Sequence, residues 1–309
     1  MSPYDIISIQ RDLHTGLVLI VDPYAIWNIN LTSKDLTLLY GSDGRVMENL
    51  DEHYILFNRI VDIVQKPLLT FALERYCIRL INRRTSNIST LVGDCDEGGD
   101  LIGNFSFTRF NKLVSGVFLT ANQLAVAESA PNDRVLMLYL DKQLSTSITR
   151  DPLPGITTMF HHFDQSMLCL FANGIFFEVD SNDGTVNGRP LIAQRKDVKG
   201  FTEGPTLGAI SNGFVFKRHV MLTDKTNKAL GIIDLDTMVI TLLCSVLVSP
   251  DPYKARFQEV SDVTECRHPT LLSVAIFPER ELLLVGGYSN IFQFQLHLDS
   301  QCEFSTSIL

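Results

Sequence analysis

Apolar and polar residues alternate with period two along almost the whole chain, in short runs cut by Gly, Asn, Asp and Pro. That alternation predicts β-strands with at least one buried face. The fullest example is Asn104–Leu140: an Arg-Phe-Asn lead-in (109–111), an apolar strand, a second strand ending in an acid, a polar turn and a third strand. Helical periodicity is confined to a short stretch at Arg256–Val263.

The same order of elements recurs in six units, spanning about 5–42, 57–93, 107–150, 156–193, 205–245 and 270–309, each with four short strands. Their second strands end at Asp22, Glu74, Glu128, Ala172, Asp224 and Gly286, positions 44 to 62 residues apart. Four-stranded repeats on this scale predict an all-β fold, a six-bladed β-propeller with four antiparallel strands per blade, as a single domain over 1–309. Both faces of each unit are apolar, as they must be where neighbouring blades cover them. This accounts for a hydrophobic fraction of 45% in an all-β chain.

Charge and composition narrow the function classes. The net charge of −9 argues against nucleic-acid reading and against docking on anionic membranes. No apolar run is long enough for a transmembrane helix, and the polar, mixed residues 1–16 predict no signal peptide.

Three units carry a more specific pattern. The matching stretches are Leu19–Asp22, Ile26–Asn30 and Leu36–Gly41 in the first, and Phe71–Glu74, Ile78–Asn82 and Ser89–Gly93 in the second. The third has Arg109–Asn111, Ala125–Glu128 and Arg134–Leu140. The pattern resembles NHL repeats: an Arg-Phe-Asn-like lead-in, a Val-Ala-Asp-like strand end, an Arg-Ile-like third strand and a closing Thr-Leu-Ala-Gly. The resemblance implies a six-bladed propeller and covers about half the chain. Glu stands for Asp in two of the three units. A kelch-like propeller is the alternative, on the doublet in Val285-Gly286-Gly287-Tyr288.

The candidate binding residues are Asp22, Glu74, Glu128 and Asp224, equivalent acids where the second strand meets the turn to the third. A ring of carboxylates would bind a cation or polarise a substrate. The competing reading has each acid capping its own turn or pairing with a nearby Arg, as Glu128 with Arg134. Repetition in several blades favours the structural role. Some six-bladed NHL-like enzymes, the peptide-amidating lyases among them, hold zinc in the central channel. Here His14, His161, His162 and His219 fall near turns of one face and His53 and His268 on the other, but the lyase motifs are missing. The sequence holds no nucleophile elbow, P-loop or Gly-x-Gly-x-x-Gly. The segment DCDEGGD (94–100) reads as a solvated turn. No catalytic residue, metal site or cofactor is assigned.

None of the six cysteines forms a CxxC pair. Third strands begin and fourth strands end on one face, which brings Cys77 near Cys95 and Cys244 near Cys266 as possible disulfides. Cys169 reads as a buried thiol. Two local disulfides, with sequons at Asn30, Asn87 and Asn104, would place the protein outside the cell; a cytoplasmic protein is the alternative. The expected function is a non-catalytic protein-interaction module of an extracellular receptor or matrix protein. Its partner would be another protein with some basic surface, bound through a loop-bearing face that includes Asp43–His53 and Val246–Pro269. The alternatives are a metal-dependent lyase or lactonase-type propeller enzyme, an intracellular kelch- or NHL-like adaptor, and an RNA-binding NHL face.

Overall fold

The computed structural model describes residues 6–31, 33, 35–41, 57–162, 167–189, 192–193, 210–216, 218–224, 229–245, 257–260, 271–277, 282–287 and 291–295. The chain is an all-β propeller. The first sheet is β1 (Ser8–Arg11), β2 (Val18–Val21), β3 (Ala25–Ile29) and β4 (Leu36–Gly41), and the second is β5 (Ile60–Lys66), β6 (Leu69–Glu74), β7 (Cys77–Asn82) and β8 (Asn87–Gly93). The third comprises β9 (Leu113–Thr120), β10 (Gln123–Glu128), β11 (Arg134–Tyr139) and β12 (Leu144–Ser147), and the fourth β13 (Ile156–His162), β14 (Met167–Ala172), β15 (Ile175–Asp180) and β16 (Val186–Arg189). All four are antiparallel meanders in chain order.

The fifth sheet is a fifth meander with an added strand. β18 (Ile210–Phe216), β19 (His219–Asp224), β20 (Ala229–Asp234) and β21 (Val239–Ser245) pair in order, and β17 (Ile192–Ala193) joins β21 in parallel. The expected fourth strand at 185–193 is therefore divided between two sheets. Pro190, which has no amide hydrogen to give a ladder, separates its halves in the sequence.

The sixth sheet departs from the expected pattern. β23 (Leu271–Phe277), β24 (Leu282–Gly287) and β25 (Ile291–Gln295) are antiparallel, but the outer strand is β22 (Phe257–Val260), from the preceding insert, and it runs parallel to β25. Blades of four consecutive antiparallel strands thus number five among the described residues, not six. The expected strand at 302–309 lies outside the described residues. β22 also replaces the helix expected near Arg256–Val263. Two helical turns are too short to hold themselves, whereas β25 offers a free row of backbone partners.

The first strands are innermost: β5 lies against β9, β9 against β13, β13 against β18, and β23 against both β18 and β1. The cores lie between sheets, and the period-two pattern shows why. Val18 and Ile20 enter one cluster with Trp27 and Leu284 of the sixth sheet, while Leu19 and Val21 enter the next with Ile60 and Ile63 of the second. Leu124 and Val126 likewise pack toward the second sheet, and Ala125 and Ala127 toward Met159 and Leu170 of the fourth. Each fully buried Leu, Ile or Val contributes about 1.5–3 kcal/mol, so both faces of a blade stabilise the ring.

Gly41 and Gly93 close β4 and β8 with φ of +93° and +90°. A Cβ at these positions would lie 2.2 Å from the Tyr24 carbonyl oxygen and 2.4 Å from that of Tyr76. The closing glycine of the repeat pattern is thus required by both backbone shape and space.

Candidate functional site

The four predicted acids are all buried at the end of a second strand. Asp22 accepts hydrogen bonds from the Tyr24 amide and the Trp27 indole, each at 2.8 Å. Glu74 accepts from the Asn58 amide and from Arg79 Nε at 3.0 Å. Glu128 accepts from the Asn111 amide and from Arg134 Nε, each at 2.7 Å. In the second and third blades the acid therefore ties the lead-in of its own blade to the third strand. Glu in place of Asp supplies the reach to an arginine. Burial holds the Glu74 carboxyl above its ordinary range, against the Asn58 amide and Arg79 that favour its charge. Asp224 is buried and stands in the ladder between Ile210 and Ala229. The structure does not gather these four acids into one group of metal ligands.

A second set of residues, not recognised in the sequence, sits on the inner strands. In each sheet, one register position lies opposite the residue just before the strand-end position, which in the sixth sheet is Gly287 and not the expected Gly286. It holds Ser8, Asp62, Ser115, Thr158, Asn212 and Ser273, polar in every case. In five sheets the register shifts by one residue immediately before it, a β-bulge that re-aims the strand. The signal was present as Ile or Leu, any residue, then Ser, Asp, Thr or Asn: Ile6 to Ser8, Ile60 to Asp62, Leu113 to Ser115, Ile156 to Thr158, Ile210 to Asn212 and Leu271 to Ser273.

Several of these groups bond across blades. Asp62 Oδ2 accepts from Ser115 Oγ and from the Gly116 amide, both at 3.1 Å. Ser115 Oγ in turn accepts from the Met159 amide at 3.2 Å. Gln10 Nε2 donates to the Ile63 carbonyl at 2.7 Å, and Gln65 Nε2 to Gln10 Oε1 at 2.9 Å. A polar girdle thus links the first four sheets near the axis. Asp62 keeps some accessible surface but is closely surrounded by protein, and burial pushes its carboxyl up to about 6, opposed only by hydrogen bonds from Gly116, Ser115 and Ile63.

The segment 94–111 is not the free turn expected of DCDEGGD. Cys77 and Cys95 form a disulfide at its base. From there the chain runs along the outer edge of the third blade. Leu101 pairs with Arg109 and Asn104 with Leu144, and the Ser145 amide donates to the Gly103 carbonyl at 2.7 Å. The strap therefore covers the open edge of β12. Asp94 pairs with Arg109, and Asp100 with Arg134. Phe105 and Phe110 anchor the strap in the core between the second and third blades. Leu101, Ile102 and Phe107 point outward, Phe107 being 72% exposed.

Other predicted features are dispersed. His14 is exposed, and His219 faces Asp234 at 3.8 Å. Among the described residues, no histidine belongs to a group of three metal-ligating side chains. Cys169 is a buried thiol, as expected, pushed up to about 12 chiefly by burial. Cys244 ends near the tip of β21, while Cys266, and with it the Cys244–Cys266 pairing, lies outside the described residues, as do Asp43–His53 and Val246–Pro269 apart from β22.

No family model and no curated relative matches the sequence. Solved structures do match in shape. An auxiliary nutrient binding protein from Bacteroides ovatus aligns with a TM-score of 0.66 at 10% identity, over 93% of this chain and 69% of that one. Its namesake from Bacteroides thetaiotaomicron aligns at 0.63 and 9% identity, over 93% and 68%. A chain of a nidogen/laminin complex aligns at 0.54 and 13% identity, over 75% and 77%. At these identities the likeness defines the fold class, a β-propeller, and no more.

Proposed function

We propose that this propeller is a non-catalytic recognition module whose sixth sheet completes an NHL-like ring. Its partner is a protein segment with apolar anchors flanked by basic residues. The observation that carries the reading is the strap: Leu101, Ile102 and Phe107 are exposed together on a segment fixed by a disulfide, two ion pairs and an edge pairing. A rigid apolar surface loses little conformational entropy on binding. Asp96 and Glu97 are exposed on the same segment, complementary to Lys or Arg. The nutrient-binding and extracellular propellers of similar shape support a binding role. The disulfide and the exposure of all three sequon asparagines, Asn30, Asn87 and Asn104, support a place outside the cell.

The test is a random peptide array probed with the wild-type protein and with Phe107→Ser. The wild type is expected to select peptides combining aromatic or aliphatic residues with Lys or Arg, and the variant to bind them at least tenfold more weakly, as loss of one buried aromatic contact requires. Selection that ignores the Phe107→Ser change would overturn the reading.

A further inference from the structure

We propose that Glu74, Cys77 and Cys95 form a thiol-dependent binding site for zinc or a similar thiophilic divalent ion, closed by the disulfide and opened by its reduction. This does not depend on what the strap binds. The ligand atoms of these three residues all lie within 4.8 Å of one another, and all three residues are buried. A tetrahedral zinc with Zn–S near 2.3 Å and Zn–O near 2.1 Å needs ligand atoms about 3.5–3.8 Å apart. Once the bond between them is broken, the two sulfurs must separate to that spacing.

The surroundings are built as a ligand shell. Arg79 donates from Nε to Glu74 and from Nη1 to Thr90 Oγ1 at 2.8 Å. Thr90 Oγ1 lies 3.8 Å from Cys95 Sγ. Asn58 donates its backbone amide to Glu74 and its side-chain Nδ2 to the Cys95 carbonyl at 2.9 Å. Arg79 and Asn58 thus fix the Glu74 carboxylate and the Cys95 backbone together, as groups outside a metal's own ligands commonly do. The backbones are equally fixed, since Cys77 pairs with Gly93 in the β7–β8 ladder. Charge closes as well. Two thiolates and one carboxylate bring three negative charges, which Zn²⁺ and the Arg79 guanidinium balance in a buried place where unpaired charge is costly. The thiolates select zinc over magnesium or calcium.

Opening the site needs a dithiol or phosphine reductant. Two electrons and two protons convert the disulfide to two thiols: a dithiol supplies both and becomes its own disulfide, while a phosphine supplies the electrons and takes its oxygen from a water molecule that gives the two protons. Zn²⁺ then displaces both thiol protons. The experiment compares oxidised and phosphine-reduced wild-type protein, titrated with Co²⁺ and Zn²⁺. Reduced protein is expected to take up one equivalent of Co²⁺ with a sulfur-to-cobalt charge-transfer band that Zn²⁺ bleaches, and oxidised protein to show none. Zn²⁺ is expected to shield Cys77 and Cys95 from alkylation, read by peptide mass mapping, which needs no variant. Glu74→Gln is expected to weaken Zn²⁺ binding at least tenfold, and Cys95→Ser to abolish the band. Equal uptake by oxidised protein, shielding of other cysteines only, or a band unchanged in Cys95→Ser would overturn the proposal.

Discussion

Glu128 and Asp62 are carboxylates enclosed by adjacent blades, and their surroundings divide them. Glu128 meets a guanidinium and a backbone amide inside its own blade. Asp62 meets a hydroxyl and amides, one hydroxyl and one amide being on the next blade, with no cation among the groups that set its acidity. The first is a satisfied strut. The second carries an uncompensated charge at neutral pH, held at the axis where the inner strands converge. An acid repeated at strand ends therefore marks architecture, and the single acid in a ring of hydroxyl and amide residues marks the place where the axis differs chemically from blade to blade.

Breaking the strut has the largest expected effect. Glu128→Ala strands the Asn111 amide and leaves Arg134 with Asp100 alone, and should cost about 3 kcal/mol or somewhat more in urea denaturation. A loss under about 1 kcal/mol would show that the acid is not structural. Next comes the disulfide beside the equivalent acid Glu74. Cys95→Ser reopens a loop spanning a sequence separation of 18 and should cost about 3 kcal/mol under oxidising conditions.

Asp62→Asn probes the other side of the comparison. The folded-state pKa of Asp62, about 6, lies above the ordinary carboxylate value. Its ionisation therefore opposes folding: stability is fully present below about pH 4 and declines as pH rises through about 6. The decline in wild type should be about 2 kcal/mol, somewhat below the full linkage value because some solvent reaches the group. Asp62→Asn should remove that part of the slope, which lies between about pH 4 and about pH 7. Parallel pH profiles for the two proteins would refute the assignment. The smallest effect belongs to Phe107→Ser, which should change stability by no more than about 0.5 kcal/mol. That separates a surface used for recognition from one used for folding.

Much of the propeller was legible because its signals are local. Val18–Val21 and Leu124–Ala127 alternate between two cores, and a period of two registers this directly. Cys77 and Cys95 flank adjacent strands, so their pairing followed from strand order. What escaped notice depends on distance or register. β22 pairs in parallel with β25 across an intervening hairpin, and no local pattern marks such a strand. Strap pairing to β12 joins Gly103 and Ser145, so DCDEGGD looked like an unattached turn. The inner ring was written in the sequence as Ile-x-Asp or Leu-x-Ser, but only the bulge ahead of it makes the third residue significant.

That bulge makes the axis separately editable. Removing Val61 would keep Ile60 opposite Glu74 and Asp62 opposite Leu73 while erasing the bulge that aims Asp62 across to the next blade. Substituting residue 8, 62, 115 or 158 alone leaves the inter-blade cores in place. Girdle and cores are then two separate layers of cohesion: an engineer, or a lineage under selection, can change the hydrogen bonds around the axis one blade at a time while the apolar contacts go on holding the blades.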